Sequence, residues 1–495
     1  MAGPFLAGVD VGTTSVKAGL FDANGVLLAQ RSSLIATQRP GPSLVEQSPE
    51  DWMSATLLGL EVVLDGVPLD AVDGIGLCSQ VNTHVFVDAN GKALAPAIIW
   101  QDGRCAKDAA MIDSLVSREA RLKWWGAPLP IESSHVLSRM AWMARAHPEI
   151  WRRTRWVMAP KDYCLLALTG EACADPLSSF GVVDSSLRYI DELITLVPGA
   201  AERLPPLLGP TAMAGRIRPG LPGAGRPLAA ATMDGWAGML GVGAVRQGDA
   251  GYLSGTSEIV GIVSRRRVPT PGVIAFPNCE GITLHAGPTQ SGGASVAWLA
   301  ELLGRSAEEI SAFAANSAPA RPTPIFLPHL QGERAPLWDI AARASFAGLD
   351  ASMGAGELSR SVLEGVAYSV RLLIEALERS SGESATRLRH AGGGARSAVW
   401  CQIRADVLGR SIDRVESPNS GVVGAAILAG TAASVFASIE EAADRMVRLE
   451  RTFQPNRALK GHYEEGFGRY TDLYARLKGF GAKNVHRRTL GRNTT

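Results

Sequence analysis

The sequence predicts an α/β protein of two related domains with a cleft between them. Three features of this 495-residue chain lead to that prediction. First, the N-terminal part shows a meander of strands and then strands that alternate with helices, which is typical of a mixed sheet covered by helices. Second, a strand, a Gly-Thr turn and another strand recur after about half the chain, as internal repetition would produce. Third, a later strand leads into three consecutive glycines and a helix.

Hydrophobic periodicity places the individual elements. Pro49–Leu64 is predicted to be a helix with Ser48 as its N-cap. Asn24-Gly25 predicts a two-residue hairpin turn between the second and third strands. The strands predicted in the N-terminal part are Phe5–Val11, Val16–Phe21, Val26–Gln30, Gly74–Cys78, His84–Asp88 and Ala229–Thr232. The later elements are the helices Glu357–Arg379 and Ala398–Leu408, with a closely packed internal helix within Gly421–Val435.

Between these elements, residues 104–200 are predicted to be mostly helical and are rich in tryptophan. Helix packing is the favoured role for these indoles, and the floor of a sugar pocket is the alternative. Pro205–Pro227 is predicted to be a loop because Pro and Gly are frequent there. The hinge between domains is placed at Val245–Asp249. The predicted domains are therefore residues 1–246 and 247–480, followed by a basic tail, 481–495.

Composition excludes several classes of function. The formal net charge of +1 gives no indication of nucleic acid or an anionic membrane as a partner. The six cysteines form no CxxC pair and match no zinc-site spacing, so a reducing, cytoplasmic location with buried thiols is expected. Neither a signal peptide nor a membrane span is expected.

The opening turn combines a carboxylate, Asp10, with Gly12, Thr13 and Thr14. These groups suit a phosphate and magnesium site, because the carboxylate holds the metal while N–H groups and hydroxyls hold the phosphate. An ordinary hairpin with a polar turn is the alternative. The second copy has Leu253 in the place of Asp10, so only the first copy would hold the metal.

Two further stretches suit binding and catalysis. Gly392–Ser397 follows a strand and would let a flat ligand approach the backbone, although a turn that needs glycine only for its geometry is equally consistent. Asp234 follows a predicted strand and is a candidate general base, with a helix N-cap as the alternative.

A third cluster offers groups that bind polyhydroxylated substrates: Gln80, Val81 and Asn82 in one run, and Trp100, Asp102 and Arg104 in the next. For the last two residues, a local ion pair that stabilises the loop is the alternative. His84 and His329 are interpreted as structural.

Several of these motifs occur together in one family. From about Phe5 to about Tyr474 the chain resembles the FGGY carbohydrate kinases, and most closely their xylulokinase-like branch. The matching motifs follow the order of the family: Asp10–Ser15, Ile99–Arg104, Pro160–Tyr163 with Leu168–Gly170, Asp234-Gly235, Gly255–Ser257, Phe346–Leu349 with Leu363–Gly365, and Gly392–Ser397.

The resemblance implies two actin-like (ribonuclease H-like) domains that close around ATP and a sugar. The N-terminal domain would bind the sugar and carry the catalytic base, and the C-terminal domain would bind the nucleotide. It implies Asp234 as the catalytic base, and Asp10 together with Asp234 at Mg²⁺. The residues implied near ATP are Thr13, Thr14, Gly255, Thr256, Gly293, Gly393, Gly394 and Ser397.

The chain also departs from the family. Xylulokinases typically carry Gln-Met-His-Gly where this sequence has Gln80–Thr83, so Val81 and Asn82 replace the Met and His that meet the sugar. Gly235 stands where that branch usually has Asn. Asn82 keeps hydrogen bonding but cannot titrate near neutrality. A ketopentose such as xylulose is the expected substrate, with another ketose or a sugar alcohol as the alternative.

Two other classes of function compete with a kinase. A non-catalytic regulator that binds sugar and nucleotide on the same fold would have no chemical need for both Asp10 and Asp234. A nicotinamide-dependent oxidoreductase is disfavoured because the opening turn is not G-x-G-x-x-G and Gly241–Gly243 lacks the third glycine in register. The expected partners are a small sugar or polyol and ATP, and a homodimer is left open.

Overall fold

The computed structural model describes residues 3–268, 270–319, 321, 323–417 and 419–480. The predicted tail, 481–495, lies outside these ranges. Up to residue 245 the strands are β1 Phe5–Val11, β2 Ser15–Asp22, β3 Leu27–Leu34, β4 Gln38–Gly41, β5 Leu44–Gln47, β6 Val72–Ser79, β7 Val85–Val87, β8 Ala97–Ile98, β9 Trp156–Met158, β10 Met213–Arg216 and β11 Pro227–Ala229. The helices there are α1 Pro49–Leu64, α2 Ala106–Leu115, α3 Arg118–Trp125, α4 Val136–Ala146, α5 Pro148–Arg153, α6 Pro160–Thr169, α7 Asp191–Ile194 and α8 Asp234–Gly241.

After residue 245 the strands are β12 Ala250–Ser254, β13 Glu258–Val263, β14 Ile274–Ala275, β15 Leu284–Pro288, β16 Ile325–Leu327, β17 Ser345–Ala347, β18 Arg387–Gly392, β19 Ser411–Val415 and β20 Leu449–Phe453. The helices there are α9 Gly293–Leu303, α10 Ala307–Asn316, α11 Ala355–Ser381, α12 Ala398–Leu408, α13 Ser420–Ala432, α14 Ile439–Met446 and α15 Lys460–Leu477. None of the helices in the described ranges is long and apolar enough to cross a membrane.

The chain divides into two compact units. The first unit contains the chain up to Val245 together with Phe276–Thr283 and Asn419–Arg448. The second unit begins at Arg246 and contains the rest of the described chain. The predicted C-terminal domain, 247–480, includes α13 and α14, whereas these two helices pack in the first compact unit. The domain bounds stay a prediction. All six cysteines are buried and free, as expected.

The first unit is organised around a six-stranded mixed sheet in the order β10-β11-β6-β1-β2-β3. β1 pairs antiparallel with β2 and parallel with β6, and β11 extends the parallel part. The predicted meander followed by crossovers is therefore confirmed. Ser48 caps α1 by accepting the N–H of Asp51, and α1 packs on one face of this sheet.

The other face of this sheet is lined with glycine. Gly8 is paired with Gly19 on one side and with Gly76 on the other. A Cβ on Gly8 would lie 2.0 Å from the carbonyl oxygen of Val422, and one on Gly76 would lie 2.2 Å from that of Ala425. Because the strands carry no side chain there, α13 lies directly against their backbone. This close contact explains why a segment so late in the sequence belongs to the first unit.

The second unit repeats this arrangement. Its main sheet has the order β14-β15-β13-β12-β18-β19-β20. β12 pairs antiparallel with β13 and parallel with β18, as β1 pairs with β2 and β6. In the first repeat the N–H of Gly12 donates to the oxygen of Ser15 at 3.1 Å, and in the second that of Gly255 donates to Ser257 at 2.9 Å. The predicted internal repeat is present in both the sheets and the turns.

Three local predictions need correction. The hairpin between β2 and β3 has three loop residues, since the N–H of Asp22 donates to the oxygen of Val26, and Gly25 takes the left-handed conformation. The predicted loop Pro205–Pro227 contains strand β10. Residues 170–190, within the region predicted to be mostly helical, contain no helix. The indoles of that region do pack in apolar clusters, as favoured.

Candidate active site

Asp10 lies near the end of β1, in a row of polar side chains across the first sheet. Lys17 on β2 and Cys78 on β6 are its partners in register. Gly421, near the start of α13, faces this row: a Cβ there would lie 3.1 Å from Oδ2 of Asp10. The thiol of Cys78 donates to the carbonyl oxygen of Gly421 at 3.3 Å. Burial raises the pKa of Asp10, and the charge of Lys17 opposes the shift.

Asp234 is the first residue of α8, and Met233 is the N-cap. The N-cap alternative is therefore wrong for Asp234, whose Oδ1 accepts the N–H of Gly235 at 2.7 Å. Burial, and next the negative charge of Asp10, raise the pKa of Asp234 to about 7. The structure thus brings together the two carboxylates that the sequence singled out. One of them has the proton affinity that suits a base near neutral pH.

The two carboxylates fit a Mg²⁺ ion. Oδ1 of Asp10 is buried and has no hydrogen-bond partner among the described residues. Such an oxygen is costly unless a ligand satisfies it. The described residues contain no group of three or more His, Cys, Asp or Glu side chains that could hold a metal. Mg²⁺ suits this arrangement because it commonly takes one or two carboxylates and completes its shell with water and phosphate oxygens.

A network of amides, hydroxyls and indoles fixes the opening turn. The hydroxyl of Thr13 donates to Oε1 of Gln80 at 3.1 Å and accepts from Nε1 of Trp100 at 3.0 Å. Gln47 accepts from Nε2 of Gln80 at 2.8 Å and donates to the carbonyl oxygen of Thr13 at 2.6 Å. The indole of Trp52 also donates to Gln47, at 3.0 Å. Three residues predicted to bind different ligands are thus hydrogen-bonded together.

Asn82 is exposed and takes a left-handed backbone conformation, with φ of 54°. Its carbonyl oxygen accepts from Arg139 Nη1 at 2.6 Å, and Nη2 of the same buried arginine donates to the oxygen of Ile99 at 2.6 Å. Arg139 also lies 3.1 Å from Nδ1 of His84, whose pKa burial and this arginine lower well below its usual value. The buried guanidinium of Arg139 therefore holds the backbone at both runs of the predicted sugar cluster, at Asn82 in the first and at Ile99 beside the second.

Asp102 and Arg104 form the local ion pair that the sequence offered as an alternative. Oδ2 of Asp102 accepts from Arg104 Nη2 at 2.7 Å, and Arg104 Nη1 lies 2.7 Å from Glu46. The carboxylate also accepts the N–H of Val45 at 2.5 Å and is 3% exposed. These contacts hold the loop after β8 against β5. Direct contact of this pair with a sugar stays a prediction.

The remaining predicted residues of the first unit are accessible. Thr14 is exposed, and Val81 and Gly235 are half-buried. No pattern in the sequence indicated the roles of Gln47, Arg139, Cys78 or Gly421, because each acts through contacts between segments far apart in the chain. His329 lies in the second unit, where its Nδ1 is 2.9 Å from Glu333 Oε2 in a buried pair.

In the second unit, three backbone segments meet at the Gly-Thr turn. The N–H of Gly293 donates to the oxygen of Gly255 at 2.9 Å, and that of Ala294 donates to Thr256 at 3.0 Å. Gly392 follows in the neighbouring strand, where a Cβ would lie 2.3 Å from the oxygen of Ser254. The turn, the start of α9 and the glycine loop are therefore adjacent.

These segments leave backbone accessible to a ligand. Gly255, Thr256 and Gly393 are exposed, and Gly394 is half-buried. Ser397 accepts the N–H of Trp400 as the N-cap of α12. Exposed N–H groups in such turns suit phosphate oxygens.

Comparison with known proteins identifies the family of this chain. The model of the N-terminal domain of the FGGY family of carbohydrate kinases matches residues 5–241, and that of the C-terminal domain matches residues 250–433. The chain belongs to the FGGY family of carbohydrate kinases. A sugar and ATP are therefore the substrates of this kinase.

Its relatives include kinases of more than one sugar. The xylulose kinase of Escherichia coli is 30% identical over 487 residues, which cover 95% of this chain and 98% of the relative. The gluconokinase of Bacillus licheniformis is 27% identical over 469 residues, which cover 90% of this chain and 91% of the relative.

Solved structures agree with the fold. A structure from Brucella ovis described as a xyloylose kinase has a TM-score of 0.85 at 29% identity and covers 96% of this chain and 100% of that one. The structure of a xylulose kinase from Rhodospirillum rubrum also has a TM-score of 0.85, at 26% identity. It covers 97% of this chain and 100% of that one.

Proposed function

We propose that this kinase transfers the γ-phosphate of ATP to a hydroxyl of a ketopentose such as xylulose. The observation that carries the proposal is the pair of carboxylates, Asp10 and Asp234, beside a cluster rich in amides and hydroxyls. The sugar is proposed from the relatives, because several proteins named xylulose kinase are 26–30% identical over 95–96% of the chain.

In the proposed reaction, Asp234 takes the proton of the attacking hydroxyl. The new bond forms between that oxygen and the γ-phosphorus, and the bond from phosphorus to the β,γ-bridging oxygen breaks, so ADP leaves. A pKa of about 7 lets Asp234 exist largely as the carboxylate just above neutral pH and still bind a proton well. Phosphoryl transfer otherwise depends on positioning and charge stabilisation.

The other residues of the proposed site would bind the phosphate, the sugar, the metal and the nucleotide. Thr13 and Thr14 would lie near the transferred phosphate, while Gln80, Asn82 and Trp100 would orient the sugar. Asp10 and Asp234 would hold Mg²⁺, which supplies charge neutralisation to the phosphates when bound. Thr256, Gly293 and the glycine loop would hold the nucleotide. We further propose that the first unit binds sugar and the second nucleotide; a homodimer and a cytoplasmic location stay predictions.

A second candidate is a kinase of a different ketose, of a sugar alcohol or of a sugar acid. The observation that favours it is the replacement of the expected Met and His by Val81 and Asn82, with Gly235 after the base. Val81 leaves a different apolar wall, and Asn82 offers a hydrogen-bonding amide that does not titrate near neutral pH. The gluconokinase relative shows that this degree of similarity extends to kinases of other sugars.

A substrate panel tests the proposal. ADP release is measured with D-xylulose, D-ribulose, L-ribulose, xylitol, glycerol and gluconate, each with ATP and Mg²⁺. We expect the highest kcat/KM with a ketopentose. Highest turnover with gluconate or a polyol would favour the second candidate. If no sugar stimulates ADP release by a folded protein that binds ADP, the result would favour the non-catalytic regulator.

Asp234→Asn tests the base separately. We expect phosphoryl transfer to fall by at least about a thousandfold, because the proposed proton acceptor is removed. The Kd for ADP is expected to stay within about twofold, since Asp234 lies outside the proposed nucleotide loops. Turnover near that of the unchanged protein would contradict the role of Asp234.

A further inference from the structure

One fully buried arginine contacts two of the three backbone segments proposed to bind the nucleotide. Arg404 on α12 is 0% exposed. Its Nη1 donates to the carbonyl oxygen of Gly394 at 3.0 Å and lies 2.9 Å from Nε2 of His390. Its Nη2 donates to Oγ of Ser254 at 2.7 Å and lies 3.3 and 3.4 Å from the two carboxylate oxygens of Glu258.

Two of these partners flank the Gly-Thr turn. Ser254 is the last residue of β12 and Glu258 is the first of β13, so they stand at the two ends of Gly255–Ser257. The hydroxyl of Ser254 also donates to Glu258 Oε1 at 2.9 Å, which closes the network. A single guanidinium therefore connects both ends of the turn with the glycine loop.

The network extends to the third segment, at the start of α9. A Cβ on Gly292 would lie 2.6 Å from Oε1 of Glu258, so the backbone there packs on this carboxylate. The N–H of Glu258 donates to Oγ1 of Thr289 at 3.0 Å, just before α9. On the loop side, a Cβ on Gly394 would lie 2.8 Å from Arg404 Nη2. All three segments thus rest on the Arg404–Glu258 pair.

We infer that Arg404, with Glu258, is a positioning residue that holds the three nucleotide-binding segments in one arrangement; this rests on the proposed assignment of those segments to the nucleotide. The guanidinium suits the role because its planar fork donates several hydrogen bonds in fixed directions, which the single ammonium of lysine cannot reproduce. Its plane also lies 3.7 Å over the ring of Trp400, which restrains its orientation.

Binding of ADP to the unchanged protein, measured by calorimetry, comes first. Absence of binding would overturn the nucleotide assignment and this inference together. When the unchanged protein binds ADP, Arg404→Lys is expected to raise the Kd for ADP and the KM for ATP by at least about tenfold, because the loops lose a common partner. The KM for D-xylulose is expected to stay within about twofold. Equal ADP affinity in the two proteins overturns this inference alone.

Arg360→Lys is the matched control. Arg360 is a buried arginine of the same unit, and its Nε lies 2.8 Å from Oε1 of Glu364. Its other partners are the hydroxyl of Tyr463 and the carbonyl oxygens of Ala314 and Ser317, none of which belongs to the three segments. Both substitutions are expected to lower Tm, but only Arg404→Lys changes ADP affinity. An equal loss of ADP affinity in both would reduce Arg404 to a general structural role.

Ser254→Ala covers the case in which Arg404→Lys does not fold. It removes only the hydroxyl between Arg404 and Glu258 and leaves both charges in place. We expect a folded protein with a Kd for ADP raised about three- to tenfold and an unchanged KM for D-xylulose. An unchanged Kd in folded Ser254→Ala overturns the inference.

Discussion

The raised pKa that suits Asp234 to its proposed role as a base has a cost in stability. Burial and the charge of Asp10 raise its pKa from 3.8 to about 7 in the folded protein. The folded state therefore binds a proton that the unfolded state releases between these values. This proton stabilises the fold fully below about pH 4, and the contribution is lost as pH rises through about 7. Above pH 7 the protein contains two neighbouring negative charges, Asp10 and Asp234, on half-buried side chains.

Asp234→Asn is therefore expected to stabilise the protein at alkaline pH while it abolishes activity. Asparagine resembles the protonated carboxyl, so the gain in free energy of unfolding at pH 8 has an upper limit of about 4 kcal/mol. Because Asp234 is only half-buried, solvent reduces this value. At pH 4 the gain is expected to be below about 1 kcal/mol. Urea unfolding at both pH values, in EDTA, measures the difference.

Asp102→Asn is the control for this experiment. Asp102 is buried and paired with Arg104, so its replacement removes a charge-assisted contact and is expected to destabilise the protein at pH 8 by about 1–3 kcal/mol. We therefore expect changes of opposite sign in the free energy of unfolding for the two substitutions. That result would distinguish a carboxylate repelled by a neighbouring negative charge from one stabilised in an ion pair. A destabilising Asp234→Asn at pH 8 would contradict the repulsion.

At the scale of elements, contact between helix backbones determines where α13 and α8 lie. A Cβ on Gly424 of α13 would lie 1.8 Å from the carbonyl oxygen of Ala237 in α8, and one on Gly241 would lie equally close to Ser420. The two helices touch over their backbones because glycine occupies both sides. Since α8 begins at Asp234 and Gly421 near the start of α13 lies beside Asp10, this contact connects the helix that carries Asp234 with the one that packs on Asp10.

Gly424→Ala is accordingly expected to destabilise the protein by about 3 kcal/mol or more, because the helices would have to separate. Alanine would otherwise favour a helix by about 1 kcal/mol. Gly468→Ala provides the comparison: this glycine lies on the exposed side of α15, and a Cβ there would meet nothing within 4 Å. It is expected to stabilise by about 0.5–1 kcal/mol. Thermal unfolding of both variants measures these effects, and a neutral Gly424→Ala would contradict the close contact.

At the scale of the whole molecule, local patterns in the sequence predicted the elements well. The periodicity and capping residues gave α1 and α12 with the bounds seen in the structure. The recurrence of the Gly-Thr turn predicted two related halves, and the structure shows the same strand pairing beside both turns. These signals lie within single segments, where spacing alone determines which side chains share a face.

Contacts between distant segments could not be predicted in this way. Nothing in the spacing of α13 indicated that it packs against β1 and β6, since its composition suits any closely packed helix. The same holds for Arg139, whose partners are carbonyl oxygens about 40 to 57 positions away. Such contacts arise from the folded backbone and leave no periodic pattern in the sequence. The family resemblance indicated the residues of the proposed site, but it did not indicate the residues that keep them in position.

The discontinuity of the first unit leads to a prediction for the whole chain. Residues 1–245 alone lack α13, so the glycine face of β1 and β6, with Cys78 and Ala237, would be exposed to water. An uncovered apolar sheet face costs stability and favours aggregation. We expect this truncated chain to aggregate or to unfold without cooperativity, as measured by circular dichroism and light scattering.

Joining residues 419–448 to Val245 is expected to restore cooperative unfolding. A Gly/Ser linker of about ten residues suffices, because Gly241 already lies against Ser420 and such a linker spans roughly 15–20 Å. The same joined chain with Gly424→Ala is the control, and it is expected to remain non-cooperative since α13 could not approach α8. If residues 1–245 alone unfold cooperatively at the Tm of the joined chain, α13 adds nothing to the first unit. Asp10 and Asp234, the carboxylates of the proposed site, would then be positioned by the N-terminal segment alone.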